Sequence, residues 1–259
     1  TFTGAVTHTG AFTSVGIDDN ADATSITIDS DENVGIKTTT PSNQYADDLV
    51  VSVPDDGGIT IQSGNTTHAG SFCFSDATTG AGTYAGYITY DHNTNSMLFG
   101  TNSGTKMTID TDGHITKPSQ PSFHVVKGSG GYTDATDVNP IPYDTEVFDT
   151  NNDFNNTASG TNPRCFTAPV AGKYWFYAHQ YYRIYDEESP YIRFQKNGSD
   201  YYQYGQIYMD GITQVQGISQ ISACISLAAN DYVQVKWVDN GGDIYYGSGE
   251  SVFTGFLIG

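Results

Sequence analysis

The densest group of chemically capable side chains is Asp186-Glu187-Glu188-Ser189, which lies between two stretches of alternating apolar and polar residues. Glycan hydrolysis requires only two carboxylates at a suitable separation, and a hard cation such as calcium takes several carboxylate oxygens. A run of acidic residues between strands is also what a solvated loop shows. The cluster is read as a loop, with a structural calcium site, here or at Asp239 and Asp243, as the chemical alternative. No catalytic residue is assigned and no other cofactor is expected. HExxH, GxxxxGK[ST] and GxSxG are absent, and the six His are isolated. Cys73, Cys165 and Cys224 are odd in number, widely spaced and without a CxxC, so neither a disulfide framework nor a zinc site follows. Free thiols made in a reducing cytosol are the expectation.

Tyrosines offer a second kind of chemistry. Tyr181-Tyr182, Tyr201-Tyr202 and Tyr245-Tyr246 are adjacent pairs, with Tyr185, Tyr191, Tyr204 and Tyr208 close by. Neighbouring residues of a strand point to opposite faces, so one ring of each pair must leave the core. An outward Tyr presents a rigid apolar face and a hydroxyl, suited to stacking on sugars or proteins; burial between subunits would use it equally well. Tyr201, Tyr202 and Tyr204 are the first recognition candidates because the turn residues Asn197-Gly198 precede them. Tyr245, Tyr246 and the Asn-rich segment 151–162 come next.

Ten basic against 29 acidic residues give a net charge of −19, which repels nucleic-acid phosphates and anionic membranes. No apolar run approaches the roughly 18 residues of a membrane span, and no charged segment followed by an apolar one opens the chain. Beginning at Thr1, it is expected to be a processed product or a piece of something longer. With 19 Tyr and 13 Phe and only 15% charged residues, ordered β structure is expected rather than an acidic disordered tail.

The elements that would position these residues fall into two halves, with a Pro-interrupted break at Ile115–Ser122. Of the first 118 residues 38 are apolar; of the remaining 141, 58 are, including 15 of the 19 Tyr. The first half is Thr-, Ser-, Gly-, Asp- and Asn-rich, with strands of four or five residues and no helical period. "SITIDSDENVGI" (25–36) and "KMTIDTDGHITK" (106–117) repeat one beat: alternating apolar residues, an acidic turn, a second apolar step. Such hairpins hold too little apolar material to cover themselves. Each is expected to be a layer of an intertwined oligomer in which neighbouring chains supply the cover; the alternative is two coincidental hairpins in one ordinary β domain.

In the second half the strands lengthen. In "GKYWFYAHQ" Tyr174, Phe176 and Ala178 share one face and Trp175, Tyr177 and His179 the other; Val233, Val235 and Trp237 share a face of "NDYVQVKWVD", and Ile221, Ala223, Ile225 and Leu227 one of "ISACISL". An antiparallel sandwich follows. The closing "SVFTGFLIG" is apolar on both faces, with Val252, Phe256 and Ile258 on one and Phe253 and Leu257 on the other. A neighbouring subunit is expected to cover the second, making Phe253, Phe256 and Leu257 the trimer-core candidates.

"ITIDSDENVGIKTTTPS" and "GYITYDHNTNSMLFGTNSGTKMTIDTDGHI" resemble shaft segments of bacteriophage tail fibres and tailspikes over residues 24–117, although Lys37 stands where Gly is usual. "RCFTAPVAGKYWF" resembles the F-x-A-P-x-x-G-x-Y-x-F signature of the complement globular-head domain of the tumour-necrosis-factor superfamily, with Phe166, Ala168, Pro169, Gly172, Tyr174 and Phe176 matching and "FQKNG", "CISLAANDYVQV" and "SVFTGFLIG" following in order. This second resemblance implies a ten-stranded jelly roll that trimerises with its last strand near the threefold axis. Together they imply an all-β homotrimer: an elongated intertwined β shaft (1–118), a short linker (119–122) and a jelly-roll sandwich head (123–259). The function implied is that of a virion tail-fibre tip, joined to upstream virion tail proteins, that binds a bacterial surface glycan or outer-membrane receptor. A glycan-depolymerising tailspike and a secreted adhesin or complement-like binding module are the alternatives.

Overall fold

The computed structural model describes residues 26–53, 55–128, 132–134, 140–184, 191–203, 215–238, 243–245 and 250–259, with backbone alone at 132–134, 184, 202–203, 215 and 243–245. Contacts divide it into two compact units, one running to Ser71 with Asp91–Asn93, the other holding Phe72–Tyr90 and Thr94–Gly259. The first eight strands are β1 (Ile26–Ile28), β2 (Val34–Ile36), β3 (Leu49–Val51), β4 (Ala69–Phe74), β5 (Gly86–Asp91), β6 (Ser96–Thr101), β7 (Gly104–Ile109) and β8 (Ile115–Thr116). They form two small sheets, β1-β2-β3 and β4-β5-β6-β7-β8.

In both copies of the repeated beat one aspartate organises the turn. Asp29 Oδ1 accepts the backbone N–H of Asp31 at 2.9 Å and of Asn33 at 3.0 Å; Asp110 Oδ1 accepts those of Asp112 at 3.0 Å and His114 at 2.9 Å. The aspartate N–H then bonds the carbonyl four residues on, 3.1 Å in the first copy and 3.0 Å in the second. The fourth residue takes a left-handed conformation in each, Glu32 at φ 71° and Gly113 at φ 84°. Two turns that share bonds, spacing and a left-handed fourth residue are one sequence-encoded device used twice. Both carboxyls lie below their ordinary range. Desolvation raises that of Asp29, but the N–H groups of Asn33 and Asp31 outweigh it; at Asp110 the His114 N–H and ring lead in lowering it.

Among the described residues, buried hydrophobic side chains begin only at Phe123. Ile26, Ile28, Leu49, Phe72, Phe74 and Ile115 are all exposed.

The head strands are β9 (Ser122–Val126), β10 (Tyr132–Asp134), β11 (Thr145–Asp149), β12 (Phe154–Asn155), β13 (Cys165–Thr167), β14 (Gly172–Ile184), β15 (Tyr191–Lys196), β16 (Ser199–Gln203), β17 (Val215–Leu227), β18 (Tyr232–Val238), β19 (Asp243–Tyr245) and β20 (Val252–Leu257). One sheet runs β10-β19-β14-β20-β9-β11, with β17 paired along β14; the other runs β12-β13-β18-β15-β16. Chain neighbours such as β13 and β14 sit in different sheets, giving a jelly-roll sandwich.

The alternation read from sequence sorts the faces correctly. Tyr174, Phe176 and Ala178 of β14, Val233, Val235 and Trp237 of β18, and Ile221, Ala223, Ile225 and Leu227 of β17 are buried. Phe123 anchors an aromatic cluster, 4.9 Å from both Phe166 and Phe253. Phe253 is fully buried and Leu257 packs on the same cluster. These two trimer-core candidates therefore line the sandwich of their own chain, because their face of β20 turns toward β12 and β15, where Phe253 meets Phe154 and Phe194; of the three, Phe256 alone faces outward. Gly255 lies between them where no side chain fits: a Cβ would stand 2.5 Å from a Phe176 ring carbon and 2.9 Å from a Phe123 ring carbon.

The segment 119–122 is tied to the head: Asn151 Nδ2 donates to Ser119 O at 3.2 Å, Gln120 Nε2 to Leu257 O at 2.6 Å, and Leu257 N–H to Pro121 O at 3.0 Å. Cys165 is buried, and Cys73 and Cys224 are exposed free thiols. Desolvation pushes the Cys165 thiol up to about 11.

Candidate functional site

The outer face of the first head sheet is built by register. Trp175 of β14 stands opposite Phe256 of β20 and Cys224 of β17; Tyr177 opposite Thr254 and Ser222; His179 opposite Val252 and Gln220; Tyr181 opposite Ile218. Across β20, Thr254 and Phe256 meet His124 and Ser122, and His124 meets Phe148 of β11. The rings touch: Trp175 to Phe256 at 5.4 Å, Trp175 to Tyr177 at 6.2 Å and nearly parallel, His124 to Phe148 stacked at 5.9 Å. Phe256 remains 45% exposed, Ile218 48% and Ile258 53%.

No Asp, Glu, Lys or Arg stands at any of these positions, in a chain of net charge −19. Lys173 and Arg183 close the row along β14, one at each end. Desolvation lowers the His179 pKa, so its ring is neutral at pH 7, and its Nε2 lies 2.9 Å from Glu250 O. A contiguous aromatic field without net charge has the composition of an interface centre. Sequence reading placed Trp175, Tyr177 and His179 on this face but left them, with His124 and Phe148, outside the candidate list. The available signal was the aromatic character of both alternating sets of β14.

The first tyrosine candidates lie at the far edge of the other sheet. Tyr201 is on edge strand β16, 47% exposed, with Lys196 Nζ 5.8 Å from its ring centre. Tyr202 pairs in register with Phe194. The turn before them has Asn197 at φ 52° and Gly198 at φ 76°, the two left-handed positions of a tight hairpin. Asn197 also braces the hairpin, accepting Tyr232 N–H at 2.9 Å and donating to Asp231 Oδ1 at 2.8 Å. Asn197, Lys196 and Ala228 N–H together hold the Asp231 carboxyl down at about 2. Tyr245 and Asp243 belong to β19, which pairs with β10. Tyr204, Tyr246, Asp186, Glu187, Glu188 and Asp239 lie outside the described residues.

Among the described residues Asp110, Asp112 and His114 bring potential ligand atoms within 4.8 Å of one another. The two backbone N–H groups on Asp110 Oδ1 already account for that arrangement as a turn. No described helix is long and apolar enough to cross a membrane.

Two sheets in this strand order, with the signature residues Phe166, Ala168, Tyr174 and Phe176 buried in one core, agree with the family model of the C1q domain, which matches residues 123–258. The chain belongs to the C1q domain family. Its C1q domain is an all-β sandwich module and is non-catalytic. Solved structures similar to it include the globular domain of zebrafish complement 1qA protein (20% identity, 54% of this chain and 98% of that one, TM-score 0.38). Eiger TNF from S. frugiperda (12%, 54% and 94%, 0.38) and murine APRIL (11%, 54% and 99%, 0.38) are also similar. The assignment rests on the family model and the strand order. No curated protein matches the chain.

Proposed function

We propose that the chain is a homotrimeric adhesive fibre tip, in which the C1q-type head binds a surface receptor and the core-poor β segments before it are covered by the same segments of neighbouring chains. The observation that carries the reading is the uncharged aromatic field on β14 and β20. In so acidic a chain, copies associate through a surface that adds no charge repulsion, and this field is that surface. Three heads on one axis then offer three equal receptor sites, and weak contacts add as avidity.

The more specific form of the reading is a bacteriophage tail-fibre tip on a virion, adsorbing to a bacterial surface glycan or outer-membrane receptor. What supports it is the identical aspartate turn in both hairpins and the absence of buried hydrophobic side chains among the described residues before Phe123. A secreted complement-like module shares the head but gives no reason for the exposed stem strands. The test is to apply fluorescently labelled protein to a panel of bacterial strains. Labelling of some strains and not others, with their surface glycan left intact, supports the phage form. Uniform absence of labelling by a protein confirmed as trimeric would overturn it.

A further inference from the structure

A cavity of about 510 Å³ opens at the β12–β13 edge of the second head sheet, the edge opposite Tyr201. Its frame is braced from within. Asp149 accepts the N–H groups of Asp153 at 3.0 Å and Phe154 at 2.7 Å. Asn155 donates to Thr161 O and Asn162 O, both at 3.2 Å, and accepts Thr157 N–H at 3.0 Å. Asn155 and Thr157 border the recess and are engaged in holding the loop. The side chains of Asn152, Asn156, Asn230 and Glu146, all lining it, make no hydrogen bond among the described residues. A preformed concavity with convergent, unengaged polar groups is what a small-molecule site requires.

The lining chooses the ligand class. It contains no Lys, Arg or His, while Glu146 and Asp153 both border it; phosphate, sulfate, uronate and sialate groups are repelled. Desolvation, with the Asp149 charge beside it, raises the Asp153 carboxyl above its ordinary value, which further disfavours a second negative charge. Three amides and a carboxylate supply both donors and acceptors, the set that adjacent hydroxyls need. Pro169 adds a flat apolar patch for a C–H face.

We propose that this recess is the receptor site of the head and that it takes a neutral saccharide unit, whose hydroxyls bond Asn152, Asn156, Asn230 and Glu146. The proposal rests on the receptor-binding reading above and assigns its contact to the Asn-rich segment. Tyr201 lies across the sheet and is outside the site.

Asn152 and Asn230 sit at φ 61° and 71°, so glycine removes their amides while suiting the backbone. The test compares wild type, the triple variant Asn152→Gly/Asn156→Ala/Asn230→Gly and, should the triple variant fail to fold, Glu146→Gln. Melting temperature and sedimentation serve as controls. Titration by NMR with methyl glycosides of neutral hexoses and deoxyhexoses, and with N-acetylneuraminate and galacturonate, should show wild-type binding to at least one neutral glycoside and to neither acid. The folded variant should lose about tenfold or more in affinity, the scale of one or two lost hydrogen bonds, while Tyr201→Ala binds normally. Binding of the acids alone, binding of no saccharide, or neutral binding unchanged in the variants overturns the proposal. If cells are labelled equally by wild type and folded variant, the recess is not the receptor site although receptor binding stands. Neutral-sugar binding in the recess without labelling of any cell keeps the site and removes the receptor reading.

Discussion

Replacing Phe256 by Asp tests the proposed assembly through one side chain. In a single chain Phe256 is 45% exposed beside Trp175. A Phe exposes about 200 Å² when free, so a partner covering the remainder would remove roughly 90 Å² from water, about 2 kcal/mol per subunit at ~25 cal/mol per Å². A carboxylate there adds a desolvation cost of several kcal/mol per chain. Three equivalent contacts multiply both terms, so the variant should dissociate at concentrations where wild type is trimeric. Because Phe256 lies outside the sandwich core, the monomer released should keep its β-sheet circular dichroism. Sedimentation equilibrium over a hundredfold dilution reads the assembly. Phe253→Ala provides the contrast: that ring is fully buried in its own chain, and its loss should cost about 3–5 kcal/mol of fold stability. A wild-type protein that sediments as a stable monomer, or a Phe256→Asp protein that dissociates no more readily than wild type, would refute the assignment of this face to an interface.

Gly255→Ala forces a methyl against the Phe176 and Phe123 rings and should cost about 1–3 kcal/mol in denaturant unfolding; an unchanged midpoint would mean the rings can shift freely. Asp231, at about 2 in the folded head and about 3.9 in the unfolded chain, contributes stability that is full above pH 4 and is lost as pH falls toward 2. Asp231→Asn should flatten that part of the pH–stability curve, and an unaltered slope counts against the brace between the β15–β16 and β17–β18 turns. Asp29→Ala and Asp110→Ala each remove the acceptor of two backbone N–H groups; both should speed hydrogen exchange at residues 31 and 33 or 112 and 114, with little change in the head. Cys165 should resist alkylation in the native protein because its thiol is buried and raised to about 11. Cys224, opposite Trp175 on the outer face, should become reactive only as trimers dissociate, whereas equal reactivity at all concentrations would place that face in water.

Much of the head was legible in the chain because its strands are half-buried and long. A period of two leaves an apolar set that can face only one way, and Tyr174-Phe176-Ala178, Val233-Val235-Trp237 and Ile221-Ala223-Ile225-Leu227 all face the core. The two aspartate turns were equally legible, since their bonds span four residues and depend on nothing distant. Strand pairing between remote segments was not legible. The outer aromatic field exists because β14 and β20 bring Trp175 beside Phe256, and β11 and β9 bring Phe148 beside His124; no local pattern encodes either meeting. For the same reason Phe253 could be read as apolar but not as covered by its own chain, because that depends on which sheet lies beneath β20. The polar recess is the extreme case: Glu146, the loop from Asn152 to Asn156 and Asn230 come from separate segments. Sequence determines which side chains are unsuited to a core, but only the packing of the two sheets decides which of them converge.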